Sequence, residues 1–206
     1  NRIQKIKKNR IKNFHNKYYY IETYDKEKLF KESELFCNWY VPKFISKNKK
    51  LFFNKRIKKQ LKFLLKKIKL KNDTFVHRDF HVSNLMSHKH KITTIDTQDA
   101  LIGNRAYDLA SLIDDVRFKT KIKLKNEIYD FYMNLNKKNI IEDDFQNDFE
   151  ILSVLRNLKI IGIFTRLAER DKKKNYLKLI PHAWKLIELR MQKNKVFTEI
   201  KDLLDK

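Results

Sequence analysis

Two glycines, Gly103 and Gly162, and two prolines, Pro42 and Pro181, are all that punctuate 206 residues. A chain this poor in residues that supply positive φ or break helices leaves few tight turns and contains no Gly-x-Gly phosphate loop. Apolar side chains then recur at helical spacing over most of its length. Leu29, Phe30, Leu35, Phe36, Trp39 and Tyr40 make one helix from Lys26 that Pro42 is expected to stop. Phe53, Ile57, Leu61, Leu64, Leu65 and Ile68 make a second from about Leu51, with Lys on its other faces. Further helices are expected over 105–117, 121–137, 143–170, 175–192 and 195–204, with Pro181 bending or restarting the fourth of these. Arg2 to Lys17 is polar and weakly periodic, and Tyr18 to Tyr20 reads as a connector. Only residues 72–103 read as β, with short runs at Thr74–Val76, Asn84–Met86 and Ile92–Ile95 and a turn at His88–Lys91. The expected fold is α+β, mostly α-helical: one domain over 1–206 wrapped around a small β element.

Charge and apolar content bound the classes that remain. Hydrophobic residues make up 42% of the chain, too many for a disordered polycation, and at this length roughly 70% of the unfolded surface can be buried. No apolar run is long enough to span a membrane, and Asn1 to Arg10 is basic without a following apolar segment. A single cysteine, Cys37, forms no internal bridge, which fits a reducing cytoplasm. The net charge is +23, carried by 38 Lys and 10 Arg scattered among Ile and Asn. Runs such as Lys47–Lys50 and Lys172–Lys174 read as solvated helix-end or loop charges, so neither a specific nucleic-acid partner nor a membrane partner is expected.

The β segment carries the chemistry. Val76 to Leu85 reads Val-His-Arg-Asp-Phe-His-Val-Ser-Asn-Leu, a strand followed by His-x-Asp-x-x-x-x-Asn. Thr93 to Leu109 supplies Ile-Asp-Thr-Gln-Asp-Ala, then Gly103, then Tyr-Asp-Leu. Phosphoryl transfer to a hydroxyl needs a carboxylate to orient the hydroxyl and take its proton, with metal ligands beside it. Asp79 suits the first role, while Asn84 can offer an amide oxygen and Asp96 an anionic oxygen to Mg²⁺. Each residue alone could be a turn residue bonding its own backbone; the joint spacing favours a site. His77, His81, His88 and His90 suggest zinc at first sight, but no Cys accompanies them and the hairpin separates the pairs. His77 is expected to orient the loop from inside, His81 to face the site or solvent, and His88 and His90 to lie in the turn.

Residues 72–118 resemble the catalytic segment of the aminoglycoside phosphotransferase and choline kinase superfamily, which has a protein-kinase-like fold. Ile-Asp-x-Gln-Asp-Ala, Gly103 and Tyr-Asp-Leu-Ala-Ser-Leu at 107–112 resemble bacterial amino-sugar kinases that phosphorylate the anomeric hydroxyl of N-acetylmuramate and N-acetylglucosamine. Glu34-Leu-Phe-Cys-Asn-Trp-Tyr40, and Leu158 to Leu167 followed by Arg170-Asp171 and Tyr176-Leu177, resemble flanking blocks of the same subgroup. The similarity runs from about residue 30 to 190. It implies Asp79 as catalytic base, Asn84 and Asp96 as Mg²⁺ ligands, and Asp108 as a buried support of the catalytic loop beside His77. Gln98 and Asp99 mark the subgroup, and Trp39, Tyr40, Arg156, Arg166 and Arg170 are candidates for the sugar. A protein kinase is disfavoured, because Asp96-Thr97-Gln98 lacks the glycine of the Asp-Phe-Gly turn.

In that fold a small β-rich lobe brings a lysine to the nucleotide phosphates. The segment before Tyr18 is too short and polar to form such a sheet, so the chain is expected to be the C-terminal lobe of the kinase, inactive alone. The nucleotide-binding lobe would then lie on upstream sequence. The partners implied are ATP, Mg²⁺ and an amino sugar of peptidoglycan recycling. Two rivals remain: an aminoglycoside, choline or homoserine kinase of the same fold, and a noncatalytic module binding RNA or a protein through its basic surface.

Overall fold

A computed structural model describes residues 3–6, 9–89, 91–138 and 140–204. The chain is mostly helical with small antiparallel sheets and forms two compact units. The first comprises residues 1–25, 70–115 and 120–145, the second residues 26–69, 116–119 and 146–206.

The first unit holds every strand. β1 (Arg10–Lys12) and β2 (Tyr18–Tyr20) pair antiparallel, with Arg10 opposite Tyr20 and Lys12 opposite Tyr18. This hairpin stands where the sequence reads as a polar segment and a connector. Its turn is made without glycine: Asn13 Oδ1 accepts from the His15 and Lys17 N–H groups at 3.0 Å, and Asn16 takes φ 60. All six paired residues are exposed, so no alternation of apolar and polar side chains could announce the strands.

β3 (Asn72–Val76) pairs antiparallel with β6 (Leu101–Asn104), and between them in sequence β4 (Leu85–His88) pairs with β5 (Lys91–Thr94). One antiparallel pair is thus nested inside another, leaving two loops, 77–84 and 95–100. Gly103 sits where β6 passes close to its neighbours: a Cβ there would meet Tyr24 Cβ at 3.1 Å and Val76 Cγ2 at 3.2 Å. Helix α4 (Ala106–Ile113) follows directly, with Ala106, Tyr107, Leu109, Ala110 and Ile113 buried. Tyr107 meets Tyr24 edge to face, centroids 5.0 Å apart, and their hydroxyls hydrogen-bond at 3.2 Å. Helix α5 (Ile122–Asn136) completes this unit, and Lys125 on it is buried against Asp114, 2.9 Å away, and the Ile113 carbonyl.

The second unit is all helix. After α1 (Lys26–Ser33) the chain widens into a π turn at Phe36–Tyr40 and runs straight into α2 (Val41–Phe44). Pro42 therefore does not stop the helical path. The Val41 N–H donates to the Phe36 carbonyl five residues back, and the proline falls in the first turn of α2, where a missing N–H is tolerated. Helix α3 (Lys47–Lys67) buries Ile57, Leu61, Leu64 and Leu65. The long helix α6 (Glu142–Glu169), from Gln146 onward, α7 (Ile180–Met191) and α8 (Thr198–Leu204) complete the unit, α7 starting after a 3-10 segment with Pro181 in its first turn. No helix among the described residues is long and apolar enough to cross a membrane.

Candidate active site

The two loops of the nested sheet are tied by a short chain of hydrogen bonds. His77, fully buried at the end of β3, uses Nε2 to donate to the Ile95 carbonyl at 2.8 Å. A carbonyl only accepts, so the proton sits on Nε2 in this arrangement. The Asn84 carbonyl accepts from the Ile95 N–H at 3.1 Å. Residue 95 is thus held from both sides, and Asp96 follows it with φ 66, a left-handed conformation uncommon outside glycine.

The catalytic-type loop is folded by its own main chain. The Asp79 carbonyl accepts from the His81 N–H and from Asn84 Nδ2, both at 3.0 Å, and the Asn84 N–H donates to the His81 carbonyl at 2.9 Å. This arrangement spends the nitrogen of the Asn84 amide on the loop. Its oxygen and the half-buried Asp79 carboxylate have no hydrogen-bond or ion-pair partner among the described residues. Turn-forming Asp and Asn side chains bond their own backbone. Here Asp79 does not.

Asp108, in the first turn of α4 and buried, accepts the His77 N–H on Oδ2 at 2.8 Å and the Arg78 N–H on Oδ1 at 3.1 Å. Arg78 has φ 72, so Asp108 clamps a second left-handed residue directly before Asp79. Arg78 itself is a contributor that the motif reading passed over. Its Nη1 donates to the Asp99 carbonyl at 3.0 Å, and its guanidinium lies 5.0 Å from the centroid of the Tyr24 ring. The only signal in the sequence was its place between His77 and Asp79. In the other loop Gln98 Nε2 donates to Asp96 Oδ1, while Gln98 and Asp99 are themselves exposed.

The donors left open are all oxygens: the Asn84 amide oxygen and Asp96 Oδ2, on adjoining loops. Hard oxygen donors with room for water and phosphate are what Mg²⁺ takes, so these residues fit that ion. No group of three or more His, Cys, Asp or Glu among the described residues is placed to hold a metal. His81 is buried rather than facing solvent, His88 ends β4, and His90 lies outside the described residues.

Trp39, Tyr40, Arg156, Arg166 and Arg170 all belong to the second unit. Tyr40 stacks on Phe36 with centroids 5.1 Å apart and meets Trp184 at 5.7 Å; Trp39 is half-buried. Arg156 is buried and its Nη1 has no hydrogen-bond partner, as is true of Arg166 Nε. Arg170 lies just past α6, where it forms a two-bond ion pair with its neighbour Asp171 at 2.7 and 3.0 Å. That pairing holds the Asp171 carboxyl below its ordinary pKa.

The strand, the clamped loop with its open carboxylate, the hairpin and the second acidic loop belong to a protein-kinase-like fold of the phosphotransferase class. The sequence agrees: residues 21–132 match the phosphotransferase enzyme family, just over half of the chain, and the chain belongs to that family. It is 33% identical over 165 residues to an N-acetylmuramate/N-acetylglucosamine kinase of Neisseria meningitidis, covering 77% of this chain and 49% of the relative. A kinase of the same name from Pseudomonas aeruginosa is 27% identical over 189 residues, covering 89% and 56%. A third, from Caulobacter vibrioides, is 29% identical over 120 residues. The chain spans about half the length of the first two relatives.

Proposed function

We propose that this chain is the acceptor-side catalytic part of an ATP-dependent kinase that phosphorylates the anomeric hydroxyl of N-acetylmuramate or N-acetylglucosamine. The observation that carries the reading is the open Asp79 carboxylate in a loop whose turns are made by other groups. Asp79 takes the proton of the sugar hydroxyl as its oxygen bonds to the γ-phosphorus, while the bond to the bridging oxygen breaks and ADP leaves. An anomeric hydroxyl is more acidic than an ordinary alcohol, so a carboxylate of ordinary basicity suffices. His77 and Asp108 hold the loop in place. Mg²⁺, bound through the Asn84 amide oxygen and an Asp96 oxygen, would neutralise charge on the transferring phosphates. For the acceptor the reading retains Trp39, Tyr40, Gln98, Asp99, Arg156, Arg166 and Arg170 as residues to test. The names and family of the relatives support this substrate class.

The test is phosphate transfer from ATP and Mg²⁺ by the full-length gene product to N-acetylmuramate, N-acetylglucosamine, choline and kanamycin. Product at the anomeric position is expected with the first two. Asp79→Asn should lower turnover by about 10² to 10⁴ fold with an unchanged circular dichroism spectrum. Transfer to none of the four by a folded protein would overturn the assignment.

A further inference from the structure

Helix α3 gathers charge that looks scattered when the sequence is read as a line. Its 21 residues carry nine Lys and one Arg with no Asp or Glu, against a net charge of +23 for the whole chain. Ile57, Leu61, Leu64 and Leu65 turn one side inward. At about 100° per residue, Lys55, Lys59, Lys62 and Lys66 then fall on the opposite side, and all four are exposed. Lys58, nearer the buried side, is paired with Glu34 at 2.7 Å; among the described residues no other cation of α3 meets a carboxylate.

Beside these cations stand apolar side chains that the fold leaves bare. Leu51 is 85% exposed and Phe52 65%, both near the start of α3, and Phe44 at the end of α2 is 49% exposed. Isolated exposed apolar residues are ordinary, but Leu51 and Phe52, consecutive between Lys50 and Lys55 on a polybasic helix, are a specific arrangement.

We propose that the outer face of α3 docks on the surface of an anionic phospholipid bilayer, with the lysines against the headgroup phosphates and Leu51 and Phe52 in the acyl boundary. The composition of the face separates a bilayer from a nucleic acid. Nucleic-acid sites draw on the guanidinium fork for bidentate contacts, whereas an ammonium is a point charge that a diffuse layer of lipid phosphates attracts without geometry. Nine of the ten cations are Lys. Leu51 cannot stack on a base, yet it gains from hydrocarbon. Phe52 already has the Arg56 guanidinium 5.4 Å from its ring centroid, which covers one of the two faces a base would use. A helix of this length extends about 30 Å and can lie flat on the surface, a peripheral association that needs no spanning segment.

The experiment is co-sedimentation of the full-length protein with vesicles of phosphatidylglycerol and phosphatidylcholine, and with pure phosphatidylcholine vesicles as control. Binding is expected to the anionic vesicles alone and to weaken with added salt. Lys55→Gln, Lys59→Gln and Lys62→Gln together should lower the partition constant on the order of a hundredfold. Leu51→Ser with Phe52→Ser leaves the charge untouched and should lower it about tenfold. All five side chains are exposed, so neither variant should melt below the wild type. Absence of binding to anionic vesicles overturns the proposal, as does binding that either variant leaves unchanged. Displacement from vesicles by single-stranded RNA that the Leu51 and Phe52 variant binds as well as wild type would assign the face to nucleic acid instead. The inference stands apart from the kinase reading, and sugar phosphorylation by either variant is expected at the wild-type rate.

Discussion

Asp108 spends both carboxylate oxygens on main-chain N–H groups of consecutive residues, His77 and Arg78, and the second of these has φ 72. A left-handed arginine costs about 1 to 3 kcal/mol, a cost the charged acceptor offsets. Asp108→Ala should therefore act twice. It leaves two loop N–H groups without an acceptor, destabilising the fold by about 2 to 4 kcal/mol, and it frees the peptide before Asp79 to leave the geometry on which the proposed proton transfer rests. Thermal unfolding and turnover, measured together on Asp108→Ala and Asp108→Asn, should show turnover falling in both while the amide variant retains more stability. Cys37 makes a different kind of statement. Burial pushes its thiol up to about 12 from 9.0, with Lys58 opposing and Glu34 adding to the shift. A raised folded-state pKa gives stability that is fully present below the unfolded value and is lost as pH climbs from about 9 towards 12, by up to about 1.4 kcal/mol per pH unit. At pH 8 the native thiol should resist iodoacetamide for hours and react at once in urea; rapid native labelling would show that the burial is wrong.

Gly162 allows two elements to touch. A Cβ at this position of α6 would lie 2.5 Å from the Leu35 carbonyl oxygen and from the Phe36 nitrogen, backbone atoms at the start of the π turn, with the Leu35 carbonyl carbon closer still. In a free helix Gly→Ala stabilises by about 1 kcal/mol. Here the sign should invert, because the neighbour is main chain and cannot swing aside: Gly162→Ala is expected to lose about 3 kcal/mol or more, read as a drop in the urea midpoint, and a neutral result would mean the helices are farther apart. The same turn shows where sequence reading stops. The apolar period over Leu29 to Tyr40 made a helix legible, but a π turn leaves that period almost unchanged, and Pro42 then read as a stop instead of a first-turn residue. β1 and β2 were hidden because every paired side chain is exposed and an asparagine does the work of the absent glycine. α4, α6, α7 and α8 were legible because their apolar faces are buried, and α5 by its spacing alone, since Lys125 is its one buried side chain among the described residues. Of the candidate site, His77, Asp79, Asn84, Asp96 and Asp108 were readable from spacing and resemblance. The role of Arg78 was not, since it depends on a positive φ and on a long side chain reaching the other loop.

For the whole molecule the dominant number is the net charge of +23 from 48 basic and 25 acidic side chains. Few of the described ion pairs are buried: Lys125 with Asp114 is an enclosed pair, whereas Lys31 with Glu27 and Lys123 with Glu127 are exposed helix-surface pairs. Exposed pairs contribute about 0 to 1 kcal/mol each and fade with salt. Mutual repulsion among the surplus cations fades with salt as well, and it acts over a longer range. The Debye length falls from about 30 Å at 0.01 M to about 10 Å at 0.1 M, so in that interval salt removes distant repulsion while pairs in contact keep most of their attraction. Repulsion should win, because the cations in excess outnumber the exposed pairs. The melting temperature is thus expected to rise as sodium chloride goes from about 0.01 to 0.2 M and then to level off. Lys→Gln substitutions along the outer face of α3 should raise the low-salt melting temperature and flatten that rise, since they dilute a helix that carries ten cations and no carboxylate. A midpoint that falls with salt in wild type would mean that ion pairing, rather than repulsion, governs the stability of this fold.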